Sequence, residues 1–421
     1  MAEQHGKTLV PQIRFAGFTD PWEQRKLGEL YKEVSEKNDL TYSRDRIISV
    51  AHMYFNPVVY VTEDDYLKTY NVMRLGDIAF EGNRSKNFAH GRLVENIIGD
   101  GIVSHVFKVF RPIQPFDLMY WKYSINNEKA MKDVLTRSTK ASTMMHELVA
   151  KDFLNEEIAV PSLEEQRQIG AFFDRLDSLI TLHQRKYDKL CVLKKSMLDK
   201  MFPKGGSLYP EIRFAGFTDP WEQRKLGDIL QERNVRTSDF ESNPIFSLTI
   251  EDGITPKTDR YERTSLITKT EDLFKIVSPN EFVTNPMNLR FGAFGYNKNS
   301  LSVCVSGYYD VFSIDNDKCS GFWNSYFKTP VALKRFDDAA TGSLIEKRRV
   351  KYSTLCQLIF LMPKGMGEKK QIGAFFDRLD SLITLHQRKY CGVASWMLGV
   401  ALVRLGSESD GAFGEMKHVL R

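Results

Sequence analysis

The sequence predicts an α+β protein in which two globular mixed α/β domains are joined by two long antiparallel coiled-coil helices. A block, Ile13–Gly28, recurs letter for letter at 212–227, and a second block, Gln168–Tyr187, recurs at 371–390. The stretches between the paired blocks differ in sequence but are nearly equal in length. A chain of 421 residues is too long for one ordinary core. We therefore expect two copies of one unit, an internal repeat related by a pseudo-two-fold axis.

The repeated blocks also set the expected domain boundaries. The first globular domain is predicted at 1–160, the first helix at 161–204, the second globular domain at 205–362, the second helix at 363–405, and a divergent tail at 406–421. Each helix begins just before the second repeated block. The first helix ends at a Pro-Lys-Gly-Gly run, which a helix does not continue through.

The variable regions carry the signals of antiparallel strands. Runs of β-branched and aromatic residues alternate with Gly, Asn and Asp, which is typical of a mixed α+β domain with short connections. The predicted strands are Ile47–Val50, Asn56–Val61, Ile102–Phe110, Leu301–Val305 and Tyr309–Ile314. The two regions do not align residue by residue.

The second repeated block predicts a long helix in each copy. Pro161 and Ser162 suit its start, and Glu164 and Glu165 lie in the first turn, where the helix dipole favours anions. Apolar positions recur with the 4-3 spacing of a coiled-coil seam. The seam is Ile169, Phe173, Leu176, Ile180, His183 and Tyr187 in the first copy, and Ile372, Phe376, Leu379, Ile383, His386 and Tyr390 in the second. Roughly 40 residues would give a rod of about 60 Å.

His183 and His386 occupy equivalent seam positions. A polar pair at one seam position commonly fixes the register of two helices, so we interpret them as a register-setting pair rather than a functional site.

The second copy departs from the first in two places. Its helix entry, 362–371, is one residue longer than 160–168 and lacks the Glu-Gln pair. The identity ends abruptly after Tyr390, and Gly392 and Gly399 would weaken a helix there. Either change could alter the register of the helices or the docking of a partner.

Composition bounds the class of protein. An apolar content of 42% and a charged content of 27% are those of a globular chain, and the net charge of +5 permits a polyanionic partner without proving one. No apolar run reaches the length of a membrane span, and the first residues lack the apolar core of a signal peptide. The 5 cysteines show no C-x-x-C spacing, which favours free thiols in a reducing cytoplasm.

No catalytic or metal-binding motif stands out. The chain has no P-loop motif, no metal spacing among its histidines, and no carboxylate–lysine cluster of a nuclease. Asn243–Phe246, with the sequence Asn-Pro-Ile-Phe, is close to the tetrad that holds a flipped adenine in DNA methyltransferases. No glycine-rich cofactor loop precedes it, and Asn-Pro is common in turns. A stand-alone adenine methyltransferase is the alternative hypothesis.

The two repeated blocks, the P-x-x-x-E-Q-x-x-I-G entry at Pro161–Gly170, and the duplicated layout resemble the specificity subunit of type I restriction–modification systems. The resemblance covers the chain from Leu9 to about Tyr390. It implies that each variable region is a target recognition domain that reads one half of a split site on double-stranded DNA, while the helices set the gap. It further implies a cytoplasmic, non-catalytic chain that docks two modification (methyltransferase) subunits, which restriction/translocase subunits join. S-adenosylmethionine, ATP and Mg are then expected in those partners.

DNA contacts need Arg or Lys for phosphates and Asn, Gln, Arg or Lys for base edges. Polar, basic stretches of the variable regions predict the contacting residues, although each is equally compatible with a solvated loop without a ligand. The candidates are Asn83, Arg84, Lys86 and Asn87 in one loop and Arg137 and Lys140 in a second; in the other region they are Arg290, Asn297, Lys298, Asn299, Arg348, Arg349 and Lys351.

The first repeated block has two interpretations. Its aromatic residues suit packing at the junction of domain and helix, whereas its arginines suit either that junction or contacts with a partner or with DNA. The residues are Arg14, Phe15, Phe18, Trp22 and Arg25, with their copies Arg213, Phe214, Phe217, Trp221 and Arg224.

Overall fold

The chain forms two compact units. The computed structural model describes residues 9–11, 13–56, 58, 63–83, 85–141, 145–250, 253–256, 274–314, 319–343 and 348–403. Unit 1 contains residues 1–182 together with 390–421, and unit 2 contains residues 183–389. Each unit is described by itself below.

Unit 1 is a mixed α/β domain with the start of a long helix. Its strands are β1 (Glu23–Lys26), β2 (Tyr31–Val34), β3 (Ile48–Ser49), β4 (Tyr54–Phe55), β5 (Asn71–Met73), β6 (Ile78–Glu81), β7 (Arg92–Glu95), β8 (Gly101–Val103), β9 (Val109–Pro112), β10 (Thr139–Ala141), β11 (His146–Leu148) and β12 (Glu157–Val160). Its helices are α1 (Leu27–Leu30), α2 (Leu118–Ile125), α3 (Glu128–Ser138), α4 (Ala150–Asn155) and the first half of α5 (Leu163–Lys200). The central sheet has the order β2-β9-β6-β7.

Unit 2 has the same plan. Its strands are β13 (Glu222–Lys225), β14 (Leu230–Arg233), β15 (Arg236–Thr237), β16 (Phe246–Thr249), β17 (Gly253–Pro256), β18 (Phe274–Val277), β19 (Phe282–Thr284), β20 (Phe294–Tyr296), β21 (Val303–Val305), β22 (Asp310–Ile314) and β23 (Ile359–Met362). Its helices are α6 (Ser320–Tyr326), α7 (Pro330–Ala339), α8 (Tyr352–Gln357), the second half of α5, and α9 (Met366–Val403) as far as residue 389. The central sheet has the order β14-β22-β19-β20.

The two variable regions therefore share one fold although their sequences do not align. Antiparallel pairs β1–β12 and β5–β8 of unit 1 have counterparts in β13–β23 and β18–β21 of unit 2. Even a single parallel bridge, Ile47 to Ile102, recurs between Ile245 and Cys304. The predicted fold class, two mixed α/β domains with long helices, is confirmed.

One predicted strand, Ile102–Phe110, is wrong. The chain turns between β8 and β9, where the Phe107 N–H donates to Ser104 O at 3.0 Å. β8 pairs with β5, whereas β9 pairs with β2 and β6, so one continuous strand cannot serve both sheets. The predicted strand at Asn56–Val61 lies largely outside the described residues.

Each unit has an aromatic-rich core beneath its central sheet. In unit 1, Tyr31, Phe110 and Trp121 are buried beside Phe153. In unit 2 the fully buried aromatic residues include Phe282, Phe294, Phe312, Trp323 and Phe327. These cores hold the sheets from which the β6–β7 and β19–β20 connections extend.

A buried carboxylate ties the first repeated block to the start of each long helix. In unit 1, Arg14 donates from Nε and Nη2 to the two oxygens of Glu165 at 2.8 Å, and Trp22 Nε1 donates to Glu165 at 3.2 Å. Glu165 is 1% exposed, and its hydrogen bond raises the pKa of Arg14. We call this arrangement the clamp.

Unit 2 repeats the clamp. Arg213 binds both oxygens of Glu368 at 2.7 and 2.8 Å, and Trp221 Nε1 donates to the same carboxylate at 3.3 Å. Arg14 and Arg213 are thus committed to the junction of domain and helix, so the interpretation of these two arginines as DNA-backbone contacts is not supported.

The clamp also explains how the second copy tolerates its altered helix entry. Glu368 stands where Glu165 stands, so within the Glu-Gln pair only the glutamine has changed, to Lys369, whose ammonium lies 5.4 Å from the centre of the Trp323 ring. The extra residue is accommodated before the helix. α5 and α9 consequently begin at equivalent positions, Leu163 and Met366, and each extends for 38 residues.

Within unit 2, the two helices pack antiparallel. His183 Nδ1 lies 2.9 Å from His386 Nδ1, and Lys194 Nζ lies 2.6 Å from Asp380 Oδ1, so residue numbers rise along one helix as they fall along the other. Of the seam residues, Ile169, Ile372, Phe376 and Leu379 are buried, whereas Phe173, Leu176, Ile180, His183, Tyr187, Ile383 and His386 are half-buried. The side chain of Tyr390 lies outside the described residues.

A glycine in each long helix lets a domain helix approach closely. A methyl group at Gly170 would lie 2.4 Å from Asp117 Oδ1 and 2.7 Å from the Tyr120 N atom. At the equivalent Gly373, it would lie 2.7 Å from the Phe322 N atom. The N-terminal ends of α2 and α6 therefore lie against equivalent points of the repeated helix.

We expect Gly170→Ala to destabilise unit 1 by about 1–3 kcal/mol, because the methyl group forces the first turn of α2 away from α5. Gly392→Ala is the matched control: nothing lies within 4 Å of its Cβ position, so alanine gains up to about 1 kcal/mol of helix propensity. Urea unfolding followed by circular dichroism measures both. Equal stabilisation by the two alanines would show that the close approach is not real.

We expect the histidine pair to make stability depend on pH. Desolvation, followed by the charges of His386, Lys389 and Lys186, lowers the pKa of His183. Below an unfolded pKa of about 6.5, the unfolded chain binds a proton more readily than the folded chain, so the free energy of unfolding falls as the pH falls. In urea titrations at about pH 7.5 and pH 5, the wild type should lose more stability than His183→Gln. A variant with the same or a larger loss contradicts this expectation.

Candidate nucleic-acid interface

Two of the predicted basic stretches of unit 1 meet on one surface. The loop 83–90 connects β6 to β7, and the β10–β11 hairpin lies against its base, where His146 N–H donates to Gly82 O at 2.9 Å. A side chain at position 82 would clash with the backbone of His146. The glycine at this position therefore permits the two segments to lie in contact. We call Asn83, Lys86, Asn87 and Lys140, all exposed, surface 1.

The base of this loop is fixed and its tip is polar. Arg92 donates to Glu81 at 2.6 Å and to Ala51 O at 2.6 Å, while its guanidinium lies 5.2 Å from the centre of the Phe88 ring. Ser85 Oγ accepts from the Phe88 N–H at 3.1 Å, which closes a turn. A rigid base below exposed amides and ammonium groups suits contacts with phosphates and base edges. Arg84 lies outside the described residues.

The prediction that Arg137 lies in a loop is wrong. α3 continues through Ser138, and β10 begins at Thr139. Arg137 donates from Nε to both oxygens of Glu156 at 2.9 Å, and this carboxylate raises the pKa of Arg137. Lys140 lies on β10, opposite Glu147. Of the two candidates in this stretch, only Lys140 belongs to surface 1.

Unit 2 presents a corresponding surface. The segment 285–293 connects β19 to β20, as the loop of surface 1 connects β6 to β7. Val350 N–H donates to Pro286 O at 2.9 Å, which matches the contact of His146 with Gly82, and Thr341 pairs antiparallel with Arg349 as β10 pairs with β11.

We call this surface, with its exposed residues Met287, Asn288, Phe291, Arg349 and Lys351, surface 2. Arg349 and Lys351 are residues that the sequence predicts to bind DNA. Met287, Asn288 and Phe291 are not among the residues predicted from the sequence, because only the matching strand order relates them to surface 1.

Arg290 and Arg348 support surface 2 from within. Arg290 Nη1 donates to Asp337 Oδ1 at 3.1 Å, and its guanidinium lies 4.4 Å from the centre of the Phe291 ring. Arg348 donates to the carbonyl oxygens of Asp337 and Ala340 at 2.9 Å. Both arginines are half-buried and hold neighbouring segments together. Their DNA contacts stay a prediction.

Asn297, in contrast, does not fit a DNA-contacting role, and that prediction is corrected. Its side chain is fully buried and donates to Val277 O and Leu301 O, both at 2.9 Å, while its Oδ1 accepts from the Asn299 N–H at 3.0 Å. In unit 1, Asn96 donates to Met73 O at 3.0 Å and to Gly99 O at 2.9 Å. A buried asparagine at the equivalent position, after β7 in unit 1 and after β20 in unit 2, thus closes the corresponding loop in each domain.

The other two residues of that stretch lie beside it. Lys298 Nζ is 3.1 Å from Asp377 on α9, and Tyr296 donates its hydroxyl to the same carboxylate at 3.2 Å. Asn299 is exposed and donates to Asn297 Oδ1 at 3.0 Å. Lys298 therefore contacts the helix, and the DNA contacts of Lys298 and Asn299 stay predictions.

We call the contact of Tyr296 and Lys298 with Asp377 the latch of unit 2, and unit 1 has a similar latch. Tyr123 donates its hydroxyl to Asp177 on α5 at 2.5 Å, and Lys122 Nζ lies 3.4 Å from the same carboxylate. Burial, together with the neighbouring aspartate, raises the pKa of both Tyr123 and Tyr296. Each tyrosine therefore stays a protonated donor that holds its domain on the helix.

Among the described residues, no group of three His, Cys, Asp or Glu side chains is placed to hold a metal ion. Within the same residues, every helix is too short or too polar to span a membrane.

Comparison with protein families bears on this geometry. Residues 19–191, which span surface 1 and most of α5, match the family model described as the type I restriction modification DNA specificity domain. The resemblance that the sequence predicts is confirmed over this part of the chain.

A curated protein with a similar sequence is a type I specificity subunit. The chain is 26% identical over 255 residues to the type I restriction enzyme MjaVIII specificity subunit of Methanocaldococcus jannaschii. That match covers 55% of each protein, so the chain spans about half the length of this curated relative.

Among solved structures, one of a type I restriction–modification S subunit from M. genitalium has a TM-score of 0.52 at 11% identity, covering 95% of this chain and 100% of that one. At that identity, the likeness concerns the fold alone. The HsdS subunit from Thermoanaerobacter tengcongensis has a TM-score of 0.44 at 17% identity, covering 93% of this chain and 99% of that one.

We expect Asn297→Ala and Asn96→Ala each to destabilise their own unit by about 1–3 kcal/mol, because two buried carbonyl groups lose their donor. Asn299→Ala is the control, since its side chain is exposed. Hydrogen exchange resolved by peptide should show faster exchange in the unit that carries the substitution. A stable Asn297→Ala chain with weakened DNA binding would restore the original prediction.

Proposed function

We propose, from the specificity domain carried by residues 19–191, that this chain is the DNA specificity subunit of a type I restriction–modification complex. It reads a split site on double-stranded DNA, one half with surface 1 and the other with surface 2. The observation that carries the proposal is the duplication of one fold on identical frameworks, with different exposed side chains at the same place in each copy. Constant scaffolds with different loops suit two readers of different sequences.

Under this proposal, the long helices set the gap between the two half-sites. Each is 38 residues long, or about 57 Å at about 1.5 Å per residue. That length is somewhat less than two turns of B-DNA at about 34–36 Å per turn. The antiparallel packing seen in unit 2 supports a rigid spacer, because the contacts of His183 with His386 and of Lys194 with Asp380 oppose sliding of one helix along the other.

The chain itself performs no catalysis under this proposal. Two modification subunits methylate adenine, and restriction/translocase subunits cleave; S-adenosylmethionine, ATP and Mg belong to those partners. We place the complex in the cytoplasm, with access to DNA.

The alternative, a stand-alone adenine methyltransferase, is not favoured. In the Asn243–Phe246 tetrad that suggested it, Asn243 O accepts from Cys304 Sγ at 3.1 Å, and Pro244 O accepts from the Cys304 N–H at 3.0 Å. Both carbonyl groups pin a turn to β21, which is a structural role.

A double variant tests the assignment of surface 1. We expect Lys86→Ala with Lys140→Ala to weaken DNA binding about tenfold or more and to reduce the salt slope by about 2, because two phosphate contacts are lost. The measurement is a salt series on the complex reconstituted with its modification subunits. Footprinting should show weaker protection over one half-site only, the two half-sites being first mapped from methylated adenines in host DNA.

The control removes the same charge from the same domain, with Lys132→Ala on α3 and Lys151→Ala on α4, both exposed. It corrects for the change in net charge alone. An equal loss in the control, or an equal loss of protection over both half-sites, would place the DNA elsewhere.

A further inference from the structure

One short turn recurs in both domains. In unit 1 it joins β8 to β9, and the Phe107 N–H donates to Ser104 O at 3.0 Å. In unit 2 it joins β21 to β22, and the Tyr309 N–H donates to Ser306 O at 3.0 Å. Both turns are therefore closed by the same bond between their first and fourth residues, although the two variable regions do not align in sequence.

A buried polar side chain holds each turn from below. In unit 1, Asn71 Nδ2 donates to Phe107 O at 3.1 Å, and in unit 2, Lys275 Nζ donates to Tyr309 O at 2.8 Å. Both donors are 6% exposed. They occupy equivalent places, because Asn71 pairs with the last residue of β8 and Lys275 pairs with the last residue of β21. A carbonyl group bound to a buried donor resists displacement, so the position of each turn is fixed.

The third residue of each turn is apolar and exposed. Val106 is 62% exposed in unit 1, and Tyr308 is 88% exposed in unit 2. The fourth residues, Phe107 and Tyr309, pack instead against buried apolar residues of their domains. A single exposed apolar residue is ordinary on a protein surface. Its recurrence at the tip of a fixed turn, in two domains of different sequence, indicates a role for this position.

The turns leave their sheets beside surface 1 and surface 2. In unit 2, Thr284, the last residue of β19, pairs with Asp310, the first residue of β22. The segment of surface 2 follows Thr284 and the turn precedes Asp310, so the two connections leave neighbouring strands about 5 Å apart. In unit 1, the Phe80 N–H donates to Lys108 O at 3.0 Å, which places the turn beside the end of β6, where the loop of surface 1 begins.

We propose that Val106 and Tyr308 are further specificity-determining residues, which contact thymine methyl groups in the half-sites read by surface 1 and surface 2. This role rests on the proposed function, because it takes the DNA to lie on those two surfaces. The methyl group of thymine is the one apolar group that a base pair presents in the major groove, so an apolar tip is matched to it. Methylation of adenine requires an adenine in the site, and each adenine of a duplex is paired with a thymine.

The difference between the two tips favours DNA over a protein partner. A protein bound by both copies would meet the same residue in each, as the repeated blocks provide. Valine stands at one tip and tyrosine at the other. Readers of two different half-sites need different side chains at one position of a common scaffold. The tips therefore vary in the same way as the exposed residues of surface 1 and surface 2.

Replacement of thymine by uracil, which lacks only the methyl group, tests the proposal. The complex reconstituted with its modification subunits binds a duplex that carries both half-sites, with uracil in one half-site at a time. For the wild type, uracil in either half-site should weaken binding about fourfold or more, as expected for one buried methyl group. Tyr308→Ala should weaken binding to the thymine duplex without a change in the salt slope, because no phosphate contact is lost. It should also lose the sensitivity to uracil in one half-site.

Three further variants serve as controls. Leu301→Ala should behave as the wild type: Leu301 is 73% exposed in the same domain, but it follows β20, at the opposite end of that strand from surface 2. Tyr308→Phe keeps the ring and should retain the sensitivity to uracil. Val106→Ala should lose the sensitivity in the half-site that Tyr308→Ala leaves unaffected. Circular dichroism checks that each variant folds.

The remaining outcomes separate this role from the proposed function. A wild-type complex that protects no split site in footprinting refutes the proposed function and, with it, the role of both tips. If the wild type protects both half-sites, unchanged uracil sensitivity in Tyr308→Ala, or the same effects in Leu301→Ala, overturns the role alone. Loss of modification subunits from the Tyr308→Ala complex in size-exclusion chromatography also overturns it, because the tip would then contact a protein.

Discussion

The architecture depends on one buried carboxylate in each copy, Glu165 or Glu368. A buried carboxylate is stable only when its charge and its lone pairs are matched, and here an arginine binds both oxygens while a tryptophan adds a third donor. Because the arginine and the tryptophan come from the entry block and the glutamate from the helix, the clamp fixes where the inserted domain starts and ends. The pairs β1–β12 and β13–β23 close on the same frame.

A fixed frame restricts the backbone of the inserted domain more than its side chains. Both domains keep the sheet order, the close approach of a helix to a glycine, and a buried asparagine that closes one loop, although their sequences do not align. The exposed residues of surface 1 and surface 2 are not restricted in this way. Under the proposed function, recognition can therefore vary at these residues while the fold persists.

The sequence predicts what is repeated or periodic, and fails where a role depends on tertiary context. The long helices and their antiparallel partners follow from exact repeats and heptad spacing. Asn297 was misassigned because a polar residue in a hydrophilic stretch can contact a ligand or close a loop, and only its burial distinguishes the two roles. Arg137 was placed in a loop because the sequence does not show that α3 continues to Ser138 or that Glu156 pairs with this arginine. The similarity of the two variable regions is invisible in sequence, because backbone pairing tolerates many side chains. The equivalence of Glu368 and Glu165 was also overlooked, because the residues on either side of the two glutamates differ.

Identity of sequence does not impose identity of contacts. The latch in unit 1 uses Asp177, whereas the latch in unit 2 uses Asp377, which corresponds to Asp174 of the first copy, one turn away. Asp380, the true counterpart of Asp177, pairs with Lys194 instead. The partners of the latches, Tyr123 and Tyr296, come from different elements of their domains. Each domain therefore supplies its own polar contact to a helix that offers several carboxylates, so a constant helix can seat domains whose surfaces differ.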